Sequence, residues 1–291
     1  LCEAIIQGWS TFSTMEVLLH QIDAFADAPF SGNPAAVMPL AAWLPDELLQ
    51  HLAEENNLAE TAFYTSQLPV EAGGPPGEWP AVHLRWFTPT REVDMCGHAT
   101  MATAAQLLED IHPGEDRVSF FTRSGWLHVD RTDDDEYVLD LPALESEEVT
   151  PDPALVDALG VRAVRAYTGF DEVIVVGSER EVREARPNFA AFPPLAFDAV
   201  LTAPGDTVDF VSRVFGPDLG VVEDPVTGSA HAQLVPLWSR EFGRTELSAR
   251  QLSRRGGSLR CELAGDRVLL IGRCRRYLDG VVSLPDRPRG Y

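Results

Sequence analysis

Short runs in which apolar and polar residues alternate recur along this chain, and a period of two marks half-buried strands. Residues 17–25, 35–40, 61–65 and 82–87 read as strands, followed by 118–122, 126–131 and 137–141. Ser124-Gly125 between two of these runs predicts that they pair. The period changes to that of a helix at Leu44, Leu48, Leu49 and Leu52, which share one face. Pro45 opens this helix with Asp46 and Glu47 in its first turn, and Asn56-Asn57 closes it. A second helix is expected over 98–109. Residues 71–80, rich in Gly and Pro, read as a hairpin loop, 88–95 as a loop and 133–135 as an acidic turn. Further along, 171–176, 197–202, 208–214, 259–263, 267–274 and 277–284 read as strands. Helical stretches fall at 153–159, ended by Gly160, and in fragments at 182–185 and 189–192, while 248–255 fits either a short helix or extended chain.

The stretch that organises the pattern is VEDPVTGSAH, Val222 to His231. An acidic loop turns into a helix at Gly228-Ser229, with Ser as a good N-cap, and an apolar run carries the helix to Phe242-Gly243. The first N–H groups of such a helix have no internal partner and suit a carboxylate or other anion. Asp224, beside that position, could handle a proton. An earlier stretch echoes this one. Arg85-Trp86-Phe87-Thr88-Pro89 precedes Cys96-Gly97-His98-Ala99, as Arg213-Val214-Phe215-Gly216-Pro217 precedes Thr227-Gly228-Ser229-Ala230. Each copy also carries Ala-Gln further on, at Ala105-Gln106 and Ala232-Gln233. The repeat implies two related halves, each presenting a helix N-terminus. The linker His112-Pro113-Gly114 divides 15–114 from 115–274, with a strand at 275–285 returning to the first half. Strands with one longer helix per half imply an α+β architecture with the site in the cleft between the halves.

Composition narrows the chemistry. The 291 residues suffice for one large or two medium domains. No apolar run approaches the roughly 18 residues of a membrane span. With 23 basic and 45 acidic residues the net charge is −22, which repels nucleic acid and anionic membranes. The chain contains no Lys, which removes a pyridoxal phosphate Schiff base and a Walker A loop. Of the four cysteines, Cys2, Cys96, Cys261 and Cys274, no two show C-x-x-C spacing. Residues 1–14 precede Met15 without a basic segment or a cleavage site, and read as a leader outside the fold. A cytoplasmic protein with reduced thiols is the expectation.

Four chemistries compete on these residues. Proton transfer would use Glu60, His98, Asp224 and Ser229, with N–H donors from both glycine loops. Glu60 sits at a helix-to-strand junction, where a solvated loop carboxylate is the plainer alternative. A metal could draw on Cys96, His98, Asp224 and His231, but their spacing matches no standard motif, and no metal is expected. Nucleophilic catalysis would use Ser229 or Cys96, yet T-G-S-A is not the G-x-S-x-G elbow. A ligand-binding protein with the same cleft remains open.

Asp23-Ala24-Phe25, Gly32-Asn33-Pro34, NLAETAF (57–63), FTPTREVDMCGHAT (87–100) and EDPVTGSAHA (223–232) together resemble the PhzF, phenazine biosynthesis-like, family across about 15–285. The resemblance implies the diaminopimelate epimerase-like fold, two pseudo-symmetric domains each with a curved sheet around a central helix. It implies an isomerase that needs no cofactor and moves a proton within a small carboxylate substrate, with Glu60 as general acid/base. His98, Asp224 and Ser229 match the family's other site positions, and Gly97 and Gly228 its anion-holding loops. Related epimerases and racemases use two opposed cysteines. Here Cys96 faces Thr227 in the echo, which disfavours a two-thiol mechanism. An amino-acid epimerase or racemase is the second reading, and a homodimer is the assembly that the resemblance implies.

Overall fold

The computed structural model describes residues 14–195, 198–217 and 221–285. Its organising feature is a strand pattern that occurs twice. In the first half β1 (Thr14–Ala24) pairs antiparallel with β2 (Asn33–Pro39), and β2 parallel with β3 (Glu60–Thr65). β3 then pairs antiparallel with β4 (Ala81–Phe87), which holds the short β5 (Glu92–Val93) antiparallel and β6 (Arg117–Thr122) parallel. β7 (Gly125–Arg131) and β8 (Tyr137–Pro142) complete an antiparallel meander. The same order of antiparallel and parallel pairings recurs from β10 (Arg165–Thr168) through β11 (Glu172–Val175), β12 (Ala199–Pro204), β13 (Phe210–Gly216), β14 (Val221–Asp224), β15 (Glu246–Gln251) and β16 (Gly257–Ala264) to β17 (Arg267–Gly272).

Two strands cross between the halves. β18 (Cys274–Pro285) follows β17 but pairs with β1, while β9 (Glu147–Val149) follows β8 but pairs with β10. β8 and β17 also pair antiparallel, which stitches the halves together. By pairing, the junction therefore lies between β8 and β9. The linker at 112–114 is only the connection from a helix to β6, a strand that pairs within the first half. Pro-Gly marks a turn, and a turn inside a half reads like one between halves. Thr14, assigned to the leader, is the first residue of β1, and the rest of that leader with Cys2 lies outside the described residues.

Each half wraps its sheet around one helix. In α2 (Gly97–Gln106) all residues are buried, as are most of α5 (Gly228–Phe242). The small residues of α2 let strands close on every side, and one core spans both helices, with Trp86, Phe120, Leu139, Leu234 and Trp238 among its members. This is the expected α+β arrangement of sheet around central helix. α1 (Asp46–Asn56) covers the outside of the first half through Leu49 and Leu52, and Asn57 closes it in the left-handed conformation. α3 (Pro153–Leu159) and α4 (Glu179–Glu184) cover the outside of the second half.

Other differences from the sequence reading are local. β14 and β5 lie where loops were expected, and 248–255 is strand over its first half, to Gln251. β9 and β10 escaped prediction because both are short, β9 being an exposed Glu-Glu-Val without alternation and β10 only four residues. The second helix ends in a π turn at Leu107–Ile111. Pro236 inside α5 has no N–H for the Ala232 carbonyl one turn back, and Leu144, on the crossover toward β9, donates to that carbonyl at 3.1 Å.

Candidate active site

The sequence echo has a physical counterpart. Arg85 on β4 makes a two-pronged pair with Glu92 on β5, at 2.7 and 2.8 Å. Arg213 on β13 does the same with Glu223 on β14, at 2.7 and 3.1 Å. Each guanidinium also lies over the Phe two residues on, Phe87 or Phe215. These pairs pin the two loops that lead into α2 and α5. The Ala-Gln echo does not share this register. Gln106 lies nine residues past Gly97 and Gln233 five past Gly228, and the two Gln side chains bond differently, Gln106 with Tyr64 and Gln233 with the backbone of Asp171.

The two helices meet at their N-termini. A Cβ placed on Gly97 would stand 3.2 Å from the Gly228 Cα, and one on Gly228 would stand 3.2 Å from the Gly97 Cα. Glycine at both positions accommodates this approach, and a Cβ at either would have to push the opposing backbone back by a few tenths of an ångström. Two sets of unpaired first-turn N–H groups, and the positive ends of two helix dipoles, thus converge on one place. They open onto a cleft of about 510 Å³ lined by residues of both halves, including Glu60, Cys96, His98, Asp224 and Ser229. All six site residues expected from the sequence line it. One local detail differs: the helix is capped by Thr227, and Ser229 is its second residue. Thr227 does not cap through its hydroxyl, which it donates instead to the Asp224 carboxylate.

Glu60 is the first residue of β3, and its carboxylate lies 3.3 Å from His98 Nε2. The Asn33 amide nitrogen lies 3.1 Å from His98 Nδ1, while its two protons have nearer acceptors in Asp224 Oδ1 at 2.8 Å and the Val226 carbonyl at 2.9 Å. Burial pushes the His98 pKa down to about 3, so the contact with Glu60 is one between a neutral imidazole and a carboxyl rather than an ion pair. Asp224 ends β14, and its carboxylate accepts from Asn33 at 2.8 Å as well as from Thr227. Gln251 of β15 steadies that loop, donating to the Asp224 carbonyl at 2.7 Å and accepting from the Thr227 N–H at 2.8 Å. Burial is the chief cause that raises both Glu60 and Asp224 above the ordinary carboxylate range, and their mutual field adds to Glu60's rise. Two such groups titrate as a pair, and the pair retains a proton where an exposed carboxylate would be ionised.

Asn33 is a residue behind the cleft wall that the sequence reading did not single out, carrying Gly32-Asn33-Pro34 only as one motif of the family resemblance. Its amide, fully buried, ties His98 from one half to Asp224 from the other. The signal was an Asn inside a motif that the family resemblance already included. Asp171 and Asp198 were missed too, and both line the cleft.

Cys96 lies beside His98 Nδ1 at 3.5 Å, and burial, with the Glu60 charge, holds its thiol well above its usual value, so it is a neutral thiol. Glu60, Cys96 and His98 bring three potential metal ligands within 4.8 Å of one another. His231, the fourth residue considered for a metal, is buried in the core against Phe210, with Nδ1 2.7 Å from the Thr227 carbonyl. Cys96, Cys261 and Cys274 are all free.

A family model described as phenazine biosynthesis-like protein, PhzC-PhzF, matches residues 22–274. The chain is 45% identical over 271 residues to an uncharacterized isomerase of Pseudomonas aeruginosa, covering 93% of this chain and 100% of the other. Its structure is similar to the crystal structure of a PhzF-family phenazine biosynthesis protein from Enterococcus faecalis, with a TM-score of 0.84 and 41% identity over 92% of this chain and 99% of that one. A hydroxyproline epimerase from Agrobacterium vitis shares the fold, with a TM-score of 0.59 at 12% identity, covering 96% and 94% of the two chains. The fold is that of the epimerase-like isomerases. Within that class the chain belongs to the phenazine biosynthesis-like family, and it is an isomerase.

Proposed function

We propose that this isomerase moves a proton within a small carboxylic acid without a cofactor, using Glu60 as general acid/base. The observation that carries the reading is the meeting of Glu60, His98 and Asp224 around two abutting helix N-termini. The first-turn N–H groups at Gly97, Gly228 and Ser229 would hold the substrate carboxylate. They would also stabilise the negative charge that develops on it when a neighbouring C–H bond is broken. A carboxyl with a raised pKa can both give and take a proton near neutral pH. Neutral His98, 3.3 Å from Glu60, would orient that carboxyl, while Asp224, held by Asn33 and Thr227, would position the substrate and share the proton. The absence of Lys from the chain supports chemistry without a pyridoxal Schiff base.

A two-thiol epimerase fits less well. The position opposite Cys96 is Thr227, whose hydroxyl is already donated to Asp224, and Cys96 itself is held as a thiol.

Solvent deuterium incorporation tests the proposal. A panel of small carboxylic acids, including dihydro-hydroxyanthranilate and the common amino acids, would be incubated in D2O with wild type, Glu60→Gln and Cys96→Ala, and followed by NMR. Isomerisation should fall by about 10²–10⁴-fold in Glu60→Gln. Exchange kept by Glu60→Gln and lost by Cys96→Ala would overturn the assignment in favour of the thiol.

A further inference from the structure

The two halves superimpose in register as well as in topology. On β3 and β4, Thr61 pairs with Phe87, and on β12 and β13, Ala199 pairs with Phe215. Arg85 and Arg213 precede those phenylalanines by two residues and make the matching pairs with Glu92 and Glu223. The same register sets Val93, opposite Trp86, against Asp224, opposite Val214. One residue before Thr61 stands Glu60, and one residue before Ala199 stands Asp198. Each half therefore offers a carboxylate at the same place, the entry to its strand beside the helix N-terminus, and both line the one cleft.

We propose that Asp198 is a second catalytic acid/base group, facing the substrate from the C-terminal half opposite Glu60, so that the proton leaves one face of the substrate and arrives on the other. This rests on the reading of the cleft as a proton-transfer site. The pair would do with carboxylates what opposed thiols would do at the positions of Cys96 and Thr227.

The surroundings of Asp198 fit that role better than a structural one. Among the described residues its carboxylate takes no hydrogen bond, and, half-buried on the cleft wall, it is open to a substrate there. Its backbone is held instead. The Asp198 N–H donates to Asp171 Oδ1 at 3.2 Å, and its carbonyl accepts from Glu172 at 3.0 Å. Asp171 is clamped in turn by Gln233 of α5 through bonds of 2.8 and 3.1 Å. The helix whose N-terminus faces the cleft thus fixes where Asp198 stands. Asp171 Oδ2, in a residue only 2% exposed, has no partner and completes this acidic wall.

Burial raises Asp198 to about 6, against the opposing field of Arg91 from the first half. Glu60 is raised further, by burial and by the charges of Asp224 and Asp198. Near neutral pH the direction follows from this order. Ionised Asp198 takes the substrate proton, the C–H electron pair passes into the conjugated carboxylate, and Glu60 gives its own proton to the opposite face. Asp198 is left protonated and Glu60 ionised, and exchange with water resets both.

The test compares wild type, Asp198→Asn and Glu60→Gln in D2O with the same panel, scoring exchange and isomer separately. Asp198→Asn should lose isomer formation by at least about 10²-fold. The acid limb of the pH profile should vanish with it, which loss of a merely structural contact would not do. The other charges facing Asp198 stay in place in that variant, namely Arg91, Asp171, Glu60 and Asp224, with Glu92 and Asp94 along the cleft. Glu60→Gln should retain exchange from the Asp198 face without forming isomer. Isomer formation by Asp198→Asn within threefold of wild type, or loss of all exchange in Glu60→Gln, would overturn the proposal. No exchange by wild type would instead count against the proton-transfer reading, and Asp198 would then be judged by calorimetry with benzoate as a planar carboxylate. Removal of a facing like charge should tighten benzoate about tenfold at pH 7, equivalent to one pKa unit. Unchanged affinity in the folded variant, or no binding by either protein, sinks the assignment.

Discussion

At the scale of single residues the cleft is a set of carboxylates kept out of water. Glu60, Asp171, Asp198 and Asp224 are all raised, with burial the largest cause in each. Asp171 is pushed up to about 8, from an ordinary value of 3.8. The fold accepts its protonated form, so the associated stability is fully present below the unfolded value and is lost as pH rises through about 8. Asp171→Asn removes the titration and still offers an acceptor to the Asp198 N–H. Urea unfolding between pH 5 and pH 8 should therefore show a shallower loss of stability in the variant, by on the order of 2 kcal/mol over that range. Equal slopes would mean that Asp171 ionises normally.

At the scale of elements, the site depends on how closely two helices approach end to end. Gly97 contributes no donor or acid that another residue could not supply, and its value lies in lacking a Cβ. A methyl there would press on Gly228 Cα at 3.2 Å and on Leu139 Cδ2 at 3.1 Å. The Leu139 side chain can turn aside, but the opposing backbone moves only by driving α5 outward. Gly97→Ala should cost about 1–3 kcal/mol in thermal or chemical unfolding, as overpacking does. It should also weaken binding of a carboxylate such as benzoate, because the two N-termini would no longer converge. A variant as stable as wild type would show that the helices part without cost.

At the scale of the molecule, each half borrows a strand that the chain order would assign to the other. β18 pairs with β1 over its whole length, and its Val282 and Leu284 pack against the core beneath α1. Deleting residues 275–285 removes that cover and bares the edge of an 11-residue strand. Such an edge invites pairing with other chains. The truncated protein should unfold at lower denaturant, by several kcal/mol, and aggregate in size-exclusion chromatography, although every residue of the proposed site is intact. A monodisperse product of undiminished stability would show that β18 is dispensable to the first half.

The sequence by itself determined much of this protein. Alternation marked most of the strands, Leu44 to Leu52 marked α1, and the R-x-F-x-P echo marked two halves, since these signals are local and written in neighbouring residues. Glu60, His98 and Asp224 were legible through the motifs around them and the family they resemble. Asn33, Asp171, Asp198 and Gln251 were not, because each acts on a residue far away in the chain. An Asn at the start of a strand gives no sign that it will stand between His98 and Asp224. The position of the junction between halves was equally hidden, since hydrogen bonds to β1 and β10, not the Pro-Gly at 113–114, decide where β18 and β9 belong. Tertiary structure alone decided which carboxylates share a cleft and therefore hold their protons. Burial and the fields of distant charges exist only once both halves have closed around it.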